Sequence, residues 1–499
     1  MMDKAQCTMP IMSLRTGLLT VLAACQFLCA CAVNPATGRN DFVLMSEQDE
    51  IRLGRDAHAQ IVRRFGGAYE DPELQAYVQR VGARLAANSH RGELVYRFTV
   101  LDSPEVNAFA LPGGYVYITR GLLVYLNSEA EMAAVLGHEI GHVTARHSVR
   151  QISGTRAAQI GYSIGSLLVP ELRNQVGQGL FNVLGGAITS GYGREHELEA
   201  DRLGAEYLAR SGYDPRAMLK VLAVLKDQEL YERQLAEEEG RQPRIYHGVF
   251  ASHPSSDQRL QEVVAFAAPE GAGFDSHEEG DYLQYLDGMV YGEGEQAGVV
   301  RAGVFYHKDL GIGFDVPTGW SSENQPERLV LLSPARDAAL QVTVEDLGRR
   351  VSPREFIRSR IKARTVRREE DIGPSGLEGY SVLVEAGSSS APRLERISVI
   401  YYQDRVYLFT GTCKDQDGFD THDAEFAAVV HSFHPLSGAE QELANAVRIR
   451  LLRVESGTGV EELARESPLT LHAEEQLRLL NQLYPDGAPA PGILLKTIQ

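Results

Sequence analysis

The spacing of apolar residues divides the chain into segments of different period. In residues 45–92, apolar positions recur three and four apart, which is the spacing of amphipathic α-helices. Pro72 stands where the first turn of a helix accepts proline. The pattern therefore predicts that this part of the chain is helical.

The following segment alternates with a period of two and predicts strands. YRFTVLD and YVYITR are rich in β-branched and aromatic residues, and Gly113 and Gly114 mark a turn between strands. Ser128 and Glu131 then have the spacing of a capping box, so a helix is expected to begin there. That helix contains the stretch GHEIGHVTARH.

A glycine-rich apolar stretch, residues 152–192, comes next. Within it, VGQGLFNVLGGAITSGY carries no charge over seventeen positions. This run is too short and too rich in glycine for a membrane span, so a buried or lid-like helix is expected, with membrane contact as the alternative. REHELEADRLG lies in a further amphipathic helix that ends at Gly212 and Pro215, and another helix is expected around Ser256.

Strand-like segments dominate residues 275–437, which we expect to form an α+β domain with one antiparallel sheet. A capping box at Ser352 and Glu355 predicts a helix within it, and Gln403 with Asp404 predicts a hairpin turn. Histidines are present without consistent spacing, so the domain is interpreted as a substrate- or partner-binding module. These histidines are His307, His422, His431 and His434.

The last unit, residues 438–499, resembles a LysM domain in its strand, glycine turn, two helices, Leu-Asn pair and final strand. Thr458 and Gly459 depart from the usual Gly-Asp-Thr turn. Peptidoglycan binding and a purely structural role therefore both stay open.

Composition and charge indicate a globular protein that does not bind nucleic acid. With 499 residues, 43% hydrophobic and 23% charged, the chain suits about three globular domains. Its formal charge of −18 argues against a nucleic-acid partner, because phosphate backbones are bound by basic surfaces.

The first 30 residues have the features of a bacterial lipoprotein signal peptide. An uncharged apolar run follows Arg15, and its length suits the central region of such a signal. Cys31 is the preferred site of acylation, Cys25 is an alternative, and a plain cleaved signal is another. The prediction is a periplasmic protein anchored by lipid at Cys31, with Ala32 favouring the outer membrane by resemblance to other bacterial lipoproteins.

Candidate chemistry is concentrated in HEIGH. His138 and His142 are four apart, so on a helix both imidazoles project from one face and can reach one metal ion. Glu139 lies beside them, where it can take a proton from metal-bound water. Zinc suits two neutral histidines and a carboxylate, and it lowers the pKa of its bound water to about 7.

A third ligand has to come from elsewhere in the chain. Five helical steps would turn His147 about 140° away from His142. The extended metzincin pattern does not fit either, because Ala145 and Ser148 occupy its glycine and histidine positions. His147 is therefore expected to have a supporting or surface role.

The better source of a third ligand is the helix containing REHELEADRLG. Glu197 and Asp201 are four apart on one face, so Glu197 can bind the metal while Asp201 accepts a hydrogen bond from a ligand histidine. Glu195, His196 and Glu199 are competing candidates.

Four motifs in this order resemble a known family. They are NAFALPGGYVYITRGLL, HEIGHVTARH, REHELEADRLG and SHPSSDQR, within residues 31–270. Together they resemble the HtpX, CaaX-protease and BepA-type HExxH gluzincin metallopeptidases. The resemblance implies one Zn²⁺ at His138, His142 and Glu197, with Glu139 as general base and Asp201 orienting a ligand histidine.

The family also has a histidine and an arginine in the pattern HPxxxxR, which His253 and Arg259 match. The resemblance implies that His253 can occupy the open metal position and hold the enzyme latent. His247 is a rival for this role, because Ser252 replaces the usual threonine before the motif. Arg259 is expected to stabilise the oxyanion or to brace Asp201.

The expected fold is α+β, with a mainly helical zincin-like domain over residues 31–270 that contains a small sheet with an exposed edge. A peptide substrate is expected to add as a strand beside YVYIT. The expected function is zinc-dependent cleavage of unfolded or misassembled envelope proteins, with the outer-membrane assembly machinery as a partner. The alternatives are a periplasmic chaperone or assembly scaffold with a largely latent zinc site, and a wall-associated hydrolase.

Overall fold

The computed structural model describes residues 31–155, 192–238, 243, 279–325, 328–348, 351–361, 365–388, 391–414, 418–469 and 471–499. The described chain begins with a hairpin of β1 (Cys31–Val33) and β2 (Asn40–Phe42). Helix α1 (Glu47–Arg64) and helix α2 (Pro72–Ala87) follow, as the apolar spacing predicts. Their first turns are capped by the side chains of Ser46 and Asp71.

The next three strands form one small sheet, in the order β3–β5–β4. β3 (Arg97–Leu101) runs parallel to β5 (Tyr115–Thr119), and β4 (Ala108–Leu111) runs antiparallel to it. The turn between β4 and β5 contains Gly113 and Gly114, both with positive φ angles, as required for so tight a connection. The expectation that a peptide pairs with YVYIT is wrong, because β5 is central and both of its edges are already paired.

The helices that carry the HEIGH and REHELEADRLG motifs pack against each other. After the short helix α3 (Arg120–Leu123), α4 (Glu129–Thr144) contains HEIGH, and residues 147–155 are also helical. Helix α5 (Arg194–Arg210) contains the second motif. Gly212, with a positive φ angle, lies just beyond its end, and α6 (Ala217–Glu238) follows. Most residues of α4 are buried, so this helix lies at the centre of the domain.

The described part of the middle region contains two antiparallel sheets instead of the single sheet expected. A short helix, α7 (Glu279–Gln284), and β6 (Val290–Tyr291) precede them. The four-stranded sheet has the order β17–β9–β8–β7, and the seven-stranded sheet has the order β10–β11–β12–β16–β15–β14–β13. Between β9 and β10 the chain turns at Pro317 and Gly319, which divides the strands between the two sheets.

In chain order, the strands of these sheets are β7 (Val299–Arg301), β8 (Val304–His307), β9 (Ile312–Asp315), β10 (Ser321–Gln325), β11 (Arg328–Leu332), β12 (Ala338–Asp346), β13 (Thr365–Ile372), β14 (Glu378–Ser388), β15 (Ala391–Tyr402), β16 (Arg405–Cys413) and β17 (His434–Pro435). Helices α8 (Pro353–Arg360) and α9 (Phe419–His431) cover opposite faces of the larger sheet. The capping box at the start of α8 and the β15–β16 hairpin are both confirmed.

The C-terminal unit packs directly on the region that contains HEIGH and REHELEADRLG. It consists of α10 (Gly438–Leu443), β18 (Val447–Arg453), α11 (Val460–Glu466), α12 (Ala473–Leu480) and β19 (Leu494–Ile498). β18 pairs with β19 on one side and with β6 on the other. Buried residues of this unit belong to the same hydrophobic cluster as the core of α4, so the two regions share one core.

Among the helices of the described residues, none is both long enough and apolar enough to span a bilayer.

Candidate metal centre

Three buried side chains from two helices converge on one point. Nε2 of His138 and Nε2 of His142, both on α4, lie 3.0 Å apart. Each of these nitrogens is 3.6 Å from a different carboxylate oxygen of Glu197 on α5. Three ligand atoms, one from each of these residues, lie within 4.8 Å of one another. This arrangement can hold a single metal ion.

The spacing and chemistry of these three side chains fit zinc. Bonds of about 2.0–2.2 Å in a tetrahedral site place ligand atoms roughly 3.3 Å apart. The distances observed here, 3.0 Å and 3.6 Å, lie on either side of that value. Two imidazoles and one carboxylate form a ligand set of catalytic zinc sites, in which the fourth position belongs to water or substrate.

Glycines allow the two ligand-bearing helices to approach closely. A Cβ added to Gly141 would lie 2.8 Å from the carbonyl oxygen of Ala200, and one on Gly204 would lie 3.0 Å from the backbone nitrogen of His138. Real Cβ atoms essentially never make a contact as short as the first, and the second is tighter than nine in ten real Cβ contacts. Gly141 of HEIGH and Gly204 of REHELEADRLG therefore permit the backbone contact that brings Glu197 to both histidines.

Asp201 lies behind His138, on the side away from the metal position. Its Oδ1 is 2.8 Å from Nδ1 of His138, and both side chains are buried. A hydrogen bond from Nδ1 to the carboxylate leaves Nε2 without a proton and directed at the ion. Asp201 can therefore fix both the tautomer and the orientation of the His138 ring.

His147 is placed differently from the helical expectation. The expected rotation of about 140° away from His142 is wrong, because α4 ends at Thr144 and Arg146 adopts a left-handed conformation with φ 55°. The reversal brings Nδ1 of His147 to 2.8 Å from Nδ1 of His142. His147 is fully buried, which lowers its pKa.

The rivals of Glu197 on α5 do not join the three converging side chains. Glu195 is exposed, and the His196 ring stacks on His147 with ring centres 4.4 Å apart. Glu199 accepts hydrogen bonds from His147 and Arg150. Burial alone would raise the pKa of the Glu199 carboxyl, but these two partners lower it to about 2.

Tyr192 is a residue of this site that no pattern in the sequence indicates. Its ring stacks on that of His142, with ring centres 4.2 Å apart. Its hydroxyl lies 2.5 Å from the hydroxyl of Ser148. Tyr192 thereby covers one face of the His142 ring. In the sequence it is marked only by its place two residues before REHELEADRLG, which forms no recognisable pattern.

Glu139 is buried beside the ligand cluster and lines a cavity together with His138. Ala108 of β4 and Leu122 of α3 form part of the wall. The wall contributed by α6 is apolar and consists of Met218, Val221, Leu222 and Leu225. A carboxylate next to a metal position, in a cavity with apolar walls, can exchange protons with a water that is shielded from bulk solvent.

His253, its rival His247 and Arg259 lie outside the described residues, so their predicted roles stay predictions.

Comparison with known proteins points to one family. Residues 72–267 match the family model described as Peptidase family M48. A beta-barrel assembly-enhancing protease of Yersinia pestis is 33% identical over 235 residues, which is 46% of each chain. Mitochondrial metalloendopeptidase OMA1 of Schizosaccharomyces pombe is 32% identical over 234 residues, which is 46% of this chain and 64% of that one. The match thus spans about half the length of the bacterial relatives.

Among solved structures, cyanobacterial PsbP from Synechocystis sp. PCC 6803 is similar at 17% identity and a TM-score of 0.23. The similarity covers 28% of this chain and 96% of that one.

Proposed function

We propose, from the match of residues 72–267 to the model of peptidase family M48, that the protein is a zinc-dependent endopeptidase. The observation that carries the proposal is the convergence of His138, His142 and Glu197, with Glu139 buried beside them. The proposed substrates are unfolded or misassembled proteins of the bacterial envelope.

We propose that His138, His142 and Glu197 hold one Zn²⁺. The ion would supply a Lewis acid and would make a bound water acidic enough to act as a nucleophile near neutral pH. Glu139 would accept the proton of the attacking water and return it to the leaving amine. Asp201 would keep Nδ1 of His138 protonated, so that Nε2 is available to the metal.

β4 is the strand beside which we now expect an extended peptide to bind. Among the described strands it pairs only with β5, and Ala108 at its start lines the cavity that contains His138 and Glu139. A peptide running along this edge would gain main-chain hydrogen bonds with little dependence on its side chains. Such binding suits an enzyme whose substrates are all unfolded but have no sequence in common.

The cellular setting is proposed from the leader sequence and from the relatives. The name of the bacterial relatives refers to assembly of β-barrels, which supports substrates or partners in outer-membrane assembly. We place the protein in the periplasm, anchored by lipid at Cys31. His253, with His247 as its rival, is the proposed ligand that keeps the enzyme latent, and Arg259 is the proposed oxyanion partner.

The deciding experiment compares Glu139→Gln with the full-length wild-type protein. Cleavage of an unfolded protein such as reduced casein should fall about 10²- to 10⁴-fold, while zinc content stays at one ion per chain. Glu195→Gln, which neutralises an exposed carboxylate on α5, is the matched control and should cleave normally.

Two outcomes would contradict the proposal. Cleavage by Glu139→Gln at the wild-type rate would remove Glu139 as the base. If Glu139→Gln loses proteolysis but fully restores growth of a deletion strain, the chaperone or scaffold function becomes the better account.

A further inference from the structure

A continuous set of buried polar contacts lies behind His142, and we call it the His142 relay. Nδ1 of His142 is 2.8 Å from Nδ1 of His147, and Nε2 of His147 is 2.9 Å from Oε2 of Glu199. Arg150 donates to the same carboxylate oxygen at 2.9 Å. We propose that His147 is a positioning residue that holds His142 in the tautomer and orientation required for metal binding, with Glu199 holding His147 in turn. The inference rests on the proposed function only in taking His142 as a metal ligand.

Only one arrangement of protons satisfies the relay when both histidines are neutral. A ligand nitrogen carries no proton, so a metal-binding Nε2 on His142 requires the proton on Nδ1. Nδ1–H of His142 then donates to Nδ1 of His147. The proton of His147 must therefore lie on Nε2, where it donates to Glu199. The two contact distances and the carboxylate at the end agree with this single direction of donation.

The relay gives His142 the same kind of support that Asp201 gives His138. Behind His138 the carboxylate is in direct contact, at 2.8 Å. Behind His142 the nearest carboxylate of the relay, Glu199, is reached through an intervening imidazole. Partners of this kind behind metal ligands typically account for 10- to 100-fold in metal affinity. Both candidate histidine ligands are thus held from behind.

The position of His147 depends on a backbone conformation that is itself anchored. Arg146, which has the left-handed φ of 55°, donates from Nε to Glu50 at 2.9 Å and from its terminal nitrogen to the carbonyl of Met45. Glu50 is buried and also accepts from the buried Arg91 at 2.8 Å. A non-glycine residue in this conformation costs on the order of 1–3 kcal/mol and persists only where its surroundings hold it there. Helix α1 thereby fixes the turn that presents His147.

The far end of the relay reaches the N-terminal hairpin. Arg150, which holds Glu199, also lies 3.5 Å from Asp41 of β2. Asp41 accepts a hydrogen bond from Asn34 at 2.8 Å, and Asn34 in turn donates to the carbonyl of Ala145 at 3.5 Å. The segment that follows Cys31 is therefore part of the structure that holds the end of α4 and the relay in place.

The test is zinc affinity of the full-length protein, measured by competition with a chromogenic chelator. His147→Leu should weaken zinc binding about 10- to 100-fold and should alter the visible spectrum of the cobalt-substituted protein. His147→Gln should recover part of the affinity, because its amide oxygen can accept from His142 and its amide nitrogen can donate to Glu199. His58→Leu is the matched control, since His58 contacts Tyr117 and lies outside the relay.

Kinetics distinguish positioning from substrate contact. At saturating zinc, His147→Leu should lower kcat and leave KM for an unfolded substrate unchanged. A folded His147→Leu protein with wild-type zinc affinity would overturn the proposal. Equal losses in the leucine and glutamine variants would also overturn it, because packing and not hydrogen bonding would then be responsible.

A second pair of variants covers the case in which His147→Leu does not fold. Glu199→Ala should lose more zinc affinity than Glu199→Gln, whose amide oxygen can still accept from His147; wild-type affinity in both would overturn the relay. Failure of the proposed function would be seen separately, as a wild-type protein that binds zinc normally and cleaves no unfolded protein.

Discussion

Gly141 and Ala200 bring the backbones of α4 and α5 into direct contact. A Cβ on Gly141 would lie 2.8 Å from the carbonyl oxygen of Ala200 and 3.1 Å from its Cα. Both atoms belong to backbone and cannot rotate away as a flexible side chain could. The distance between the two helices, and with it the reach of Glu197 to His142, therefore depends on the absence of a side chain at position 141.

Gly141→Ala should disturb the metal centre as well as the packing. Overpacking of a close contact costs about 1–3 kcal/mol, and moving α5 outward would carry Glu197 away from the histidines. We expect a lower melting temperature together with weaker zinc binding, measured by calorimetry and chelator competition. Gly154→Ala is the control, because a Cβ there meets nothing within 4 Å. If Gly141→Ala is destabilised but binds zinc as wild type does, the position of Glu197 does not depend on the spacing of α4 and α5, and this account is contradicted.

Two replacements of Asp201 should distinguish what its hydrogen bond to His138 contributes to zinc affinity from what its negative charge contributes. Asp201→Asn keeps an oxygen that can accept from Nδ1 of His138, whereas Asp201→Ala removes it. Zinc affinity should fall about 10- to 100-fold in the alanine variant and by less in the asparagine variant. Isothermal titration with zinc measures both. If the two variants bind equally, hydrogen bonding to His138 is not what Asp201 contributes.

The sequence identifies those parts of the site that depend on local periodicity. His138 with His142 and Glu197 with Asp201 are four residues apart within helices, so spacing alone places each pair on one face. The structure brings these faces together. The position of His147 could not be found in this way, because it depends on the end of α4 and on the left-handed backbone of Arg146.

Contacts between residues that are far apart in the sequence also set a limit on how much of the fold can be predicted from local patterns. Ser128 caps α4 as its position predicts, but the side chain of Glu131 does not complete a capping box. It accepts instead from the backbone of Asn127 and from Gln482 of the C-terminal unit. A partner 351 positions away leaves no pattern in the local sequence. The central place of β5 in its sheet is likewise a matter of strand pairing, which alternation does not reveal.

Because the two regions share one core, we expect the C-terminal unit to stabilise the proposed peptidase domain. Leu480 of α12 is fully buried in the cluster that contains the core of α4. Leu480→Ala should cost about 2–5 kcal/mol and lower the thermal stability of proteolytic activity. Leu471→Ala, in the same unit but with Leu471 70% exposed, should have little effect. If Leu480→Ala leaves the thermal inactivation of the proposed proteolytic activity unchanged, the C-terminal unit is an independent module.

Lys496 predicts a distinct pH dependence of stability. Its ammonium group is buried and donates to the carbonyl of Leu126 at 2.9 Å and to that of Val124. Burial lowers its pKa from 10.5 to about 7. Between these values the unfolded chain binds a proton that the folded protein does not, so the free energy of unfolding rises with pH. One proton corresponds to about 1.4 kcal/mol per pH unit.

Lys496→Met removes that proton, so the stability of wild type relative to the variant should increase from pH 7 to pH 9 by up to about 3 kcal/mol. Urea unfolding at the two pH values, with ionic strength held constant, measures the difference. Lys308→Met, at an exposed lysine of the middle region, is the control, and its stability should change with pH as that of wild type does. If the free energy of unfolding of Lys496→Met changes with pH as that of wild type does, Lys496 remains charged in the folded protein. Its hydrogen bonds to the two carbonyls would then offset the cost of burying the charge.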